Sequence, residues 1–165
     1  KPGEKVACTG ASGIGKTTLA VTAMGLIPPH AGTVRRGGRV GYLAQDAHIF
    51  TTSVAENVRI GNKDATDEQV RDALHRAGLP LDPGRLVGED GGTLSGGERR
   101  RLALARLLVA DRDLWILDEP TEHLDQATAE ALMDDVWRAC EGRAVLVISH
   151  DPAVVAACDR ELHLA

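Results

Sequence analysis

Three short stretches carry the residue types that chemistry on phosphates requires. Gly10-Ala11-Ser12-Gly13-Ile14-Gly15-Lys16-Thr17 fits the pattern G-x-x-x-x-G-K-[ST]. In such a loop the backbone N–H groups wrap a phosphate chain, helped by the N-terminus of the helix that follows. Lys16 reaches the β- and γ-phosphates, and the Thr17 hydroxyl ligates Mg²⁺. The context suits this reading. Apolar Val6-Ala7-Cys8-Thr9 precedes the loop as a strand, and a helix runs from about Lys16 to Met24, ended by Gly25 and Pro28-Pro29. A chance glycine-rich turn is the plainer alternative, and it leaves the joint presence of strand, loop, lysine and helix unexplained.

The second stretch is Leu114-Trp115-Ile116-Leu117-Asp118-Glu119. A buried strand delivers Asp118 to a sheet edge, where a carboxylate holds Mg²⁺. Glu119, one residue on, is placed to polarise an attacking water. The third is Leu94-Ser95-Gly96-Gly97-Glu98, just before a helix. Its glycines permit close backbone approach, and the Ser95 hydroxyl and helix start favour an anion. The helix start at Lys16 already serves one phosphate chain, so a second is surplus within one monomer. It has a use if it meets a nucleotide held by another subunit. The plainer reading of Ser95 is an ordinary helix cap.

The elements that must position these residues are legible in outline. Arg39 to Leu43 reads as a strand, and so does the apolar run Ala144 to Ile148. Ser53-Val54-Ala55-Glu56 and Thr66-Asp67-Glu68-Gln69 match capping boxes, and Val70, Ala73, Leu74 and Ala77 then recur at helical spacing. Glu98 to Val109 is rich in helix formers, with Arg99-Arg100-Arg101 read as a solvated helix face. Asp125 caps a helix whose stripe is Ala129, Leu132, Met133, Val136, Trp137 and Cys140. Asp151-Pro152 opens another. Apolar strands alternating with amphipathic helices predict an α/β fold with a mostly parallel sheet sandwiched by helices. Ligands of such sheets bind beyond the carboxyl ends of the strands, where these polar residues fall.

The 165 residues suit one domain, and the core must be aliphatic, since only one Phe, one Tyr and two Trp are present. A net charge of −5 argues against nucleic acid as the partner. Cys8, Cys140 and Cys158 have no metal-binding spacing and read as free thiols in a reducing compartment. No apolar run approaches the length of about 20 residues that spans a bilayer, and the polar start is unlike a signal peptide. Membrane association is therefore expected through a partner or through chain outside this sequence.

The order of these motifs resembles the ABC ATPase family. Phosphate loop, Leu94-Ser95-Gly96-Gly97-Glu98 and Leu117-Asp118-Glu119-Pro120 are joined by Gln45 in Tyr42-Leu43-Ala44-Gln45-Asp46. Glu122-His123-Leu124-Asp125 is similar to the family's D-loop, and His150 in Ile148-Ser149-His150-Asp151 to its switch histidine. The resemblance implies a P-loop NTPase of ABC ATPase type. Its helical subdomain would cover roughly 46–110 and its P-loop core 1–45 and 111–165. It implies ATP and Mg²⁺ as ligands, with ATP contacts from Gly10 through Thr18 and from Gln45. Thr17, Gln45 and Asp118 would serve Mg²⁺. Glu119 would be the general base, aided by Lys16 and by His150 at the γ-phosphate. The signature residues Leu94 to Glu98, and Asp125, would act across an interface with a second ABC ATPase domain, the same or different. Gln45, His150 and Asp125 also have plain readings as a strand-end polar group, a turn residue and a helix cap.

Val87-Gly88-Glu89-Asp90-Gly91-Gly92 resembles the X-loop of ABC exporters. The resemblance implies that the Gln45 and Glu89 regions meet coupling helices of a transmembrane domain, on the cytoplasmic face of the bacterial inner membrane. Gln45 to Phe50, Ser53 to Asn57 and the Glu-His-Leu-Asp D-loop resemble the CydC-type subunit of bacterial heterodimeric thiol exporters. Two departures stand out. The upstream strand with an adenine-stacking aromatic is not in this sequence, and the interval from Lys16 to Gln45 is shorter than the family's usual one. A truncated antiparallel β-subdomain and weak discrimination between ATP and GTP are therefore expected. Glu122 and His123 also replace the small residues usual in the D-loop.

Competing readings are a soluble ABC-type ATPase acting mechanically on DNA or the ribosome, a P-loop kinase or GTPase, and a slow regulatory subunit of a heterodimeric transporter. The first lacks a sustained heptad between phosphate loop and signature. The second leaves Leu-Ser-Gly-Gly-Glu unexplained, and the third stays open.

Overall fold

The computed structural model describes residues 1–88 and 94–165. β1 (Lys5–Gly10) runs through the phosphate loop into α1 (Lys16–Met24). β2 (Val40–Leu43) is followed by the two-residue β3 (Thr52–Ser53), α2 (Val54–Arg59), α3 (Asp67–Arg76) and the two-residue β4 (Leu86–Val87). Then come α4 (Gly96–Ala110), β5 (Leu114–Asp118), α5 (Gln126–Ala139), β6 (Ala144–Ile148), α6 (Pro152–Ala156) and β7 (Arg160–Leu164).

The main sheet has the order β2-β5-β6-β1-β7, and every neighbouring pair is parallel. Register pairs Leu43 with Leu117, Asp118 with Ile148, and Ile148 with Cys8. The chain segments that leave β1, β2, β5 and β6 therefore emerge along one edge. Strand residues alternate between two faces, and both faces are covered. Trp115 and Leu117 of β5 join the large cluster under α4 and α5, with Val145 and Val147 of β6. Ile116 and Ile148 turn the other way and meet Ala20 of α1 and Cys8. The largest fully buried side chain is Trp115, and the next largest are Leu, Ile and Val, in keeping with the scarcity of aromatics. Cys8 and Cys140 are buried, Cys158 is half-buried, and all three are free. Burial pushes each thiol up from its ordinary range.

α2 and α3 pack on α4, beside the antiparallel pair β3–β4. Arg106 ties this unit together. Its guanidinium donates to the carbonyl and side-chain oxygens of the buried Asn57, each at 2.8 Å, and to the carbonyl of His48 at 2.8 Å. The antiparallel pairing thus lies beyond β2; residues 25–39, between α1 and β2, hold turns and extended chain without a strand.

Several local expectations meet corrections. Ser53 accepts from Glu56 N–H at 3.1 Å, but the Glu56 carboxylate goes to Arg59 at 2.7 Å instead of closing a capping box. A charge-assisted pair outcompetes a neutral backbone donor. Thr66 with Gln69 and Ser95 with Glu98 do form complete boxes. Of the Arg99-Arg100-Arg101 run, read as a solvated face, only Arg99 is exposed. Arg100 is 6% exposed, and Arg101 pairs with Asp135 of α5 beneath the surface. Helix α4 begins at Gly96, so both signature glycines lie in its first turn. β7 went unread because its sequence, Arg-Glu-Leu-His-Leu, is polar and largely exposed on a sheet edge.

Candidate active site

The phosphate loop leaves β1 at Gly10 and enters α1 after Gly15. Gly10 has φ 142, and a Cβ there would stand 2.6 Å from the Leu164 carbonyl oxygen, so no side chain fits. Gly15 caps α1 in the left-handed region at φ 108. It offers no side-chain hydrogen bond, and no acid stands in the first turn. The first amides of α1 are therefore left for an anion. Lys16 Nζ donates to the carbonyls of Gly10 and Ala11, at 2.8 and 2.9 Å, and so lies along the loop.

Ser12, Gly13, Gly15, Lys16, Thr17 and Thr18 form one wall of a cleft of about 340 Å³. Gln45, Asp118, Glu119, Glu122 and Ile148 form the other. Ala11 and Ile14 complete the loop without lining the cleft. Thr17 Oγ1 donates to Asp118 Oδ2 at 3.1 Å, and the Tyr42 hydroxyl donates to the same oxygen at 2.8 Å. Burial and the Asp118 carboxylate both raise Tyr42 above the usual phenol range, so it remains a donor at neutral pH.

Glu119, first after β5, has φ 46, in the left-handed region. Its N–H donates to the Ile148 carbonyl at 2.9 Å, and His150 Nδ1 lies 3.1 Å from its Oε2. The structure thus brings together Glu119 and His150, which are far apart in sequence. The Gln45 amide donates to the Glu122 carboxylate inside the cleft. Sequence reasoning missed Glu122 as a cleft residue and Tyr42 as a partner of Asp118. Tyr42 precedes Gln45 at the end of a strand, and Glu122 follows Asp118 and Glu119; their nearness to the motifs was the available signal.

The signature residues are not in this cleft. Leu94 and Gly96 line a second cleft of about 280 Å³ with Asp46, Arg99, Arg100, His123 and others, to which Gln45 and Glu122 also contribute. Ser95 and Glu98 are joined in their capping box at 3.1 and 3.2 Å. Gly97 packs on α5, where a Cβ would come within 2.8 Å of Thr128 Cγ2. Asp125 caps α5, accepting from Thr128 N–H at 3.0 Å and Thr128 Oγ1 at 2.6 Å, and these bonds hold its carboxyl below the usual range. Glu89 lies outside the described residues.

A strand, phosphate loop and helix, with a second strand's carboxylate set against the loop's Thr17, define a P-loop nucleoside triphosphatase fold. The family model described as "ABC transporter" matches residues 1–122. The glutathione/L-cysteine transport system ATP-binding/permease protein CydD of Bacillus subtilis is 38% identical, over 99% of this chain and 32% of its own length. The human mitochondrial potassium channel ATP-binding subunit is 38% identical, over 90% of this chain and 23% of its own. The beta-(1-->2)glucan export ATP-binding/permease protein NdvA of Brucella melitensis is 36% identical, over 99% and 31%. The chain therefore belongs to the ABC transporter family, as one of its ATP-binding, ATP-hydrolysing domains. It spans a third or less of the length of these relatives.

Proposed function

We propose that this chain powers an ABC exporter by pairing with a second ATPase domain, of its own or another kind, around ATP. The placement of Leu94 and Gly96 in a second cleft, adjoining but outside that of Lys16 and Thr17, is the observation that supports this reading. Each chain then offers a phosphate site and a signature in neighbouring clefts, and two chains complete each other's sites. Asp125 would serve the same interface.

Thr17, Asp118 and Gln45 offer a hydroxyl, a carboxylate and an amide, a hard-oxygen set that fits Mg²⁺. The contact between Thr17 and Asp118 supports their sharing it. When bound, the ion offsets charge on the phosphate oxygens. Lys16 and the loop amides hold the phosphate chain. Glu119 takes the proton of the attacking water, and His150 orients Glu119 and the γ-phosphate.

Among the described residues no helix is long and apolar enough to cross a membrane. Two of the relatives are named as ATP-binding/permease proteins, which supports attachment to a transmembrane domain; the proposed location is the cytoplasmic face of a bacterial inner membrane. The segment after Gln45 and the region of Glu89 would meet it. Packing of α2 and α3 on α4 supports a helical subdomain over roughly 46–110. The likeness to CydD supports a small thiol as cargo.

The test is Glu119→Gln, which keeps nucleotide binding and slows hydrolysis. Its mass in solution is measured with and without Mg-ATP. An ATP-dependent dimer supports pairing with itself. A monomer that binds ATP sinks self-pairing and leaves a different subunit as partner. Wild-type hydrolysis by this variant overturns the role of Glu119.

A further inference from the structure

We propose that Arg100, on the signature helix, is a positioning residue for Glu119. The proposal rests on reading Glu119 as the general base.

Arg100 lies in the second turn of α4, and its guanidinium is spent on main-chain carbonyls. Nη1 donates to Glu119 O at 2.8 Å and to Pro120 O at 3.3 Å, and Nη2 donates to Glu122 O at 3.0 Å. Among the described residues it makes no ion pair at contact distance. Burial disfavours the charged guanidinium, and the Asp46 and Glu122 carboxylates, which are not in contact with it, only partly offset this; such a group is an expensive way to fill space. Hydrophobic packing alone would not select it.

The turn it grips gives the reason. Glu119 is a non-glycine residue at φ 46, in the left-handed region that L side chains avoid. It also precedes Pro120, which biases a residue toward extended backbone. Left alone, this residue would relax, and its carboxylate would swing off the line to His150. Such a conformation persists only where neighbours over-determine it. Here both peptide planes around the Glu119 Cα are pinned. The Ile148 carbonyl holds its N–H, and Arg100 holds its carbonyl.

Arg100 thus fixes the carboxylate 3.1 Å from His150 Nδ1. It stands on the helix that begins at Gly96. A shift of that helix on meeting the partner's nucleotide is passed through one side chain to the base of its own cleft. Among the described residues, no other side chain of the signature helix hydrogen-bonds the Glu119 carbonyl.

The experiment compares Arg100→Met, Arg100→Lys and Glu119→Gln in the full-length protein. It measures kcat, KM for Mg-ATP, fluorescent-nucleotide affinity and Tm. Arg100→Met is expected to lower kcat about 30-fold, in the range produced by misplacing a base, with KM and affinity held within about two-fold. Arg100→Lys is expected to recover part of that loss, because an ammonium still donates to these carbonyls. If Arg100→Met does not fold, Arg100→Lys decides, with a kcat loss of about three- to ten-fold at unchanged KM. An Arg100→Met variant with wild-type kcat beside an inactive Glu119→Gln overturns the Arg100 proposal alone. So does a parallel loss of kcat, affinity and Tm that Lys does not rescue. A fully active Glu119→Gln overturns both this proposal and the reading beneath it.

Discussion

Thr17 and Asp118 stand 101 positions apart in the chain and meet at 3.1 Å, hydroxyl to carboxylate, at the head of the cleft. This contact joins the helix after the phosphate loop to the end of β5. Two oxygens that a divalent ion would share are already neighbours. Asp118→Asn keeps the shape and removes the charge. It is expected to lower Mg-dependent ATP hydrolysis by about 100-fold or more. Nucleotide affinity measured in EDTA should hold or rise. Equal loss of affinity with and without the metal would place Asp118 in packing instead.

Tyr42 gives a prediction in alkali. Its phenol ionises higher in the folded chain than when unfolded, because burial and Asp118 disfavour the phenolate. The stability this confers is fully present below the unfolded value of about 10 and is lost as pH rises through the higher folded one. Denaturant titrations should show wild type losing stability above pH 10 more steeply than Tyr42→Phe. At pH 7 the variant should be less stable by about 1–2 kcal/mol, the worth of a hydrogen bond to a charged group. Parallel curves above pH 10 would contradict this account.

Glu122 adds a third carboxylate, beside Asp118 and Glu119, to the cleft proposed to hold the triphosphate. Glu122→Gln removes that charge and can still bond Gln45. Metal-free ATP should bind about three-fold tighter at low ionic strength, and the gain should fade with salt. No change at low salt would mean that Glu122 does not face the bound phosphates.

Gly97 and Thr128 set the approach of α4 to α5. An alanine at position 97 gains helix propensity but brings its Cβ to 2.8 Å from Thr128 Cγ2. That methyl cannot swing away easily, because Thr128 Oγ1 is bonded to Asp125. The clash should win, with a loss of about 1 kcal/mol for Gly97→Ala. In the Thr128→Ser background the same change should be neutral or stabilising. An additive double-mutant cycle would rule out the contact as the cause.

Much of this molecule was readable before any fold was drawn. Phosphate loop, signature and strand-end acids are contiguous motifs, and their chemistry follows from residue type and order. The caps at Thr66, Ser95, Asp125 and Asp151 are local too, because a cap and its donor lie within three residues. Buried strands announced themselves as unbroken apolar runs. β7 did not, because an exposed edge strand needs no apolar face and its one recorded strand partner is β1.

Other features depended on which elements come to lie side by side. Arg100 sits among three arginines that are alike on paper. Only the packing of α4 against the turn at 119–122 buries one of them and turns it to carbonyls. Tyr42 became a partner of Asp118 because β2 pairs with β5, and His150 reached Glu119 because β6 pairs with β5. The sequence alone determined the motifs, most elements and the nucleotide chemistry. The tertiary structure decided which distant side chains share a bond, because a side chain's partners are set by the neighbouring element it faces, and chain order does not contain that.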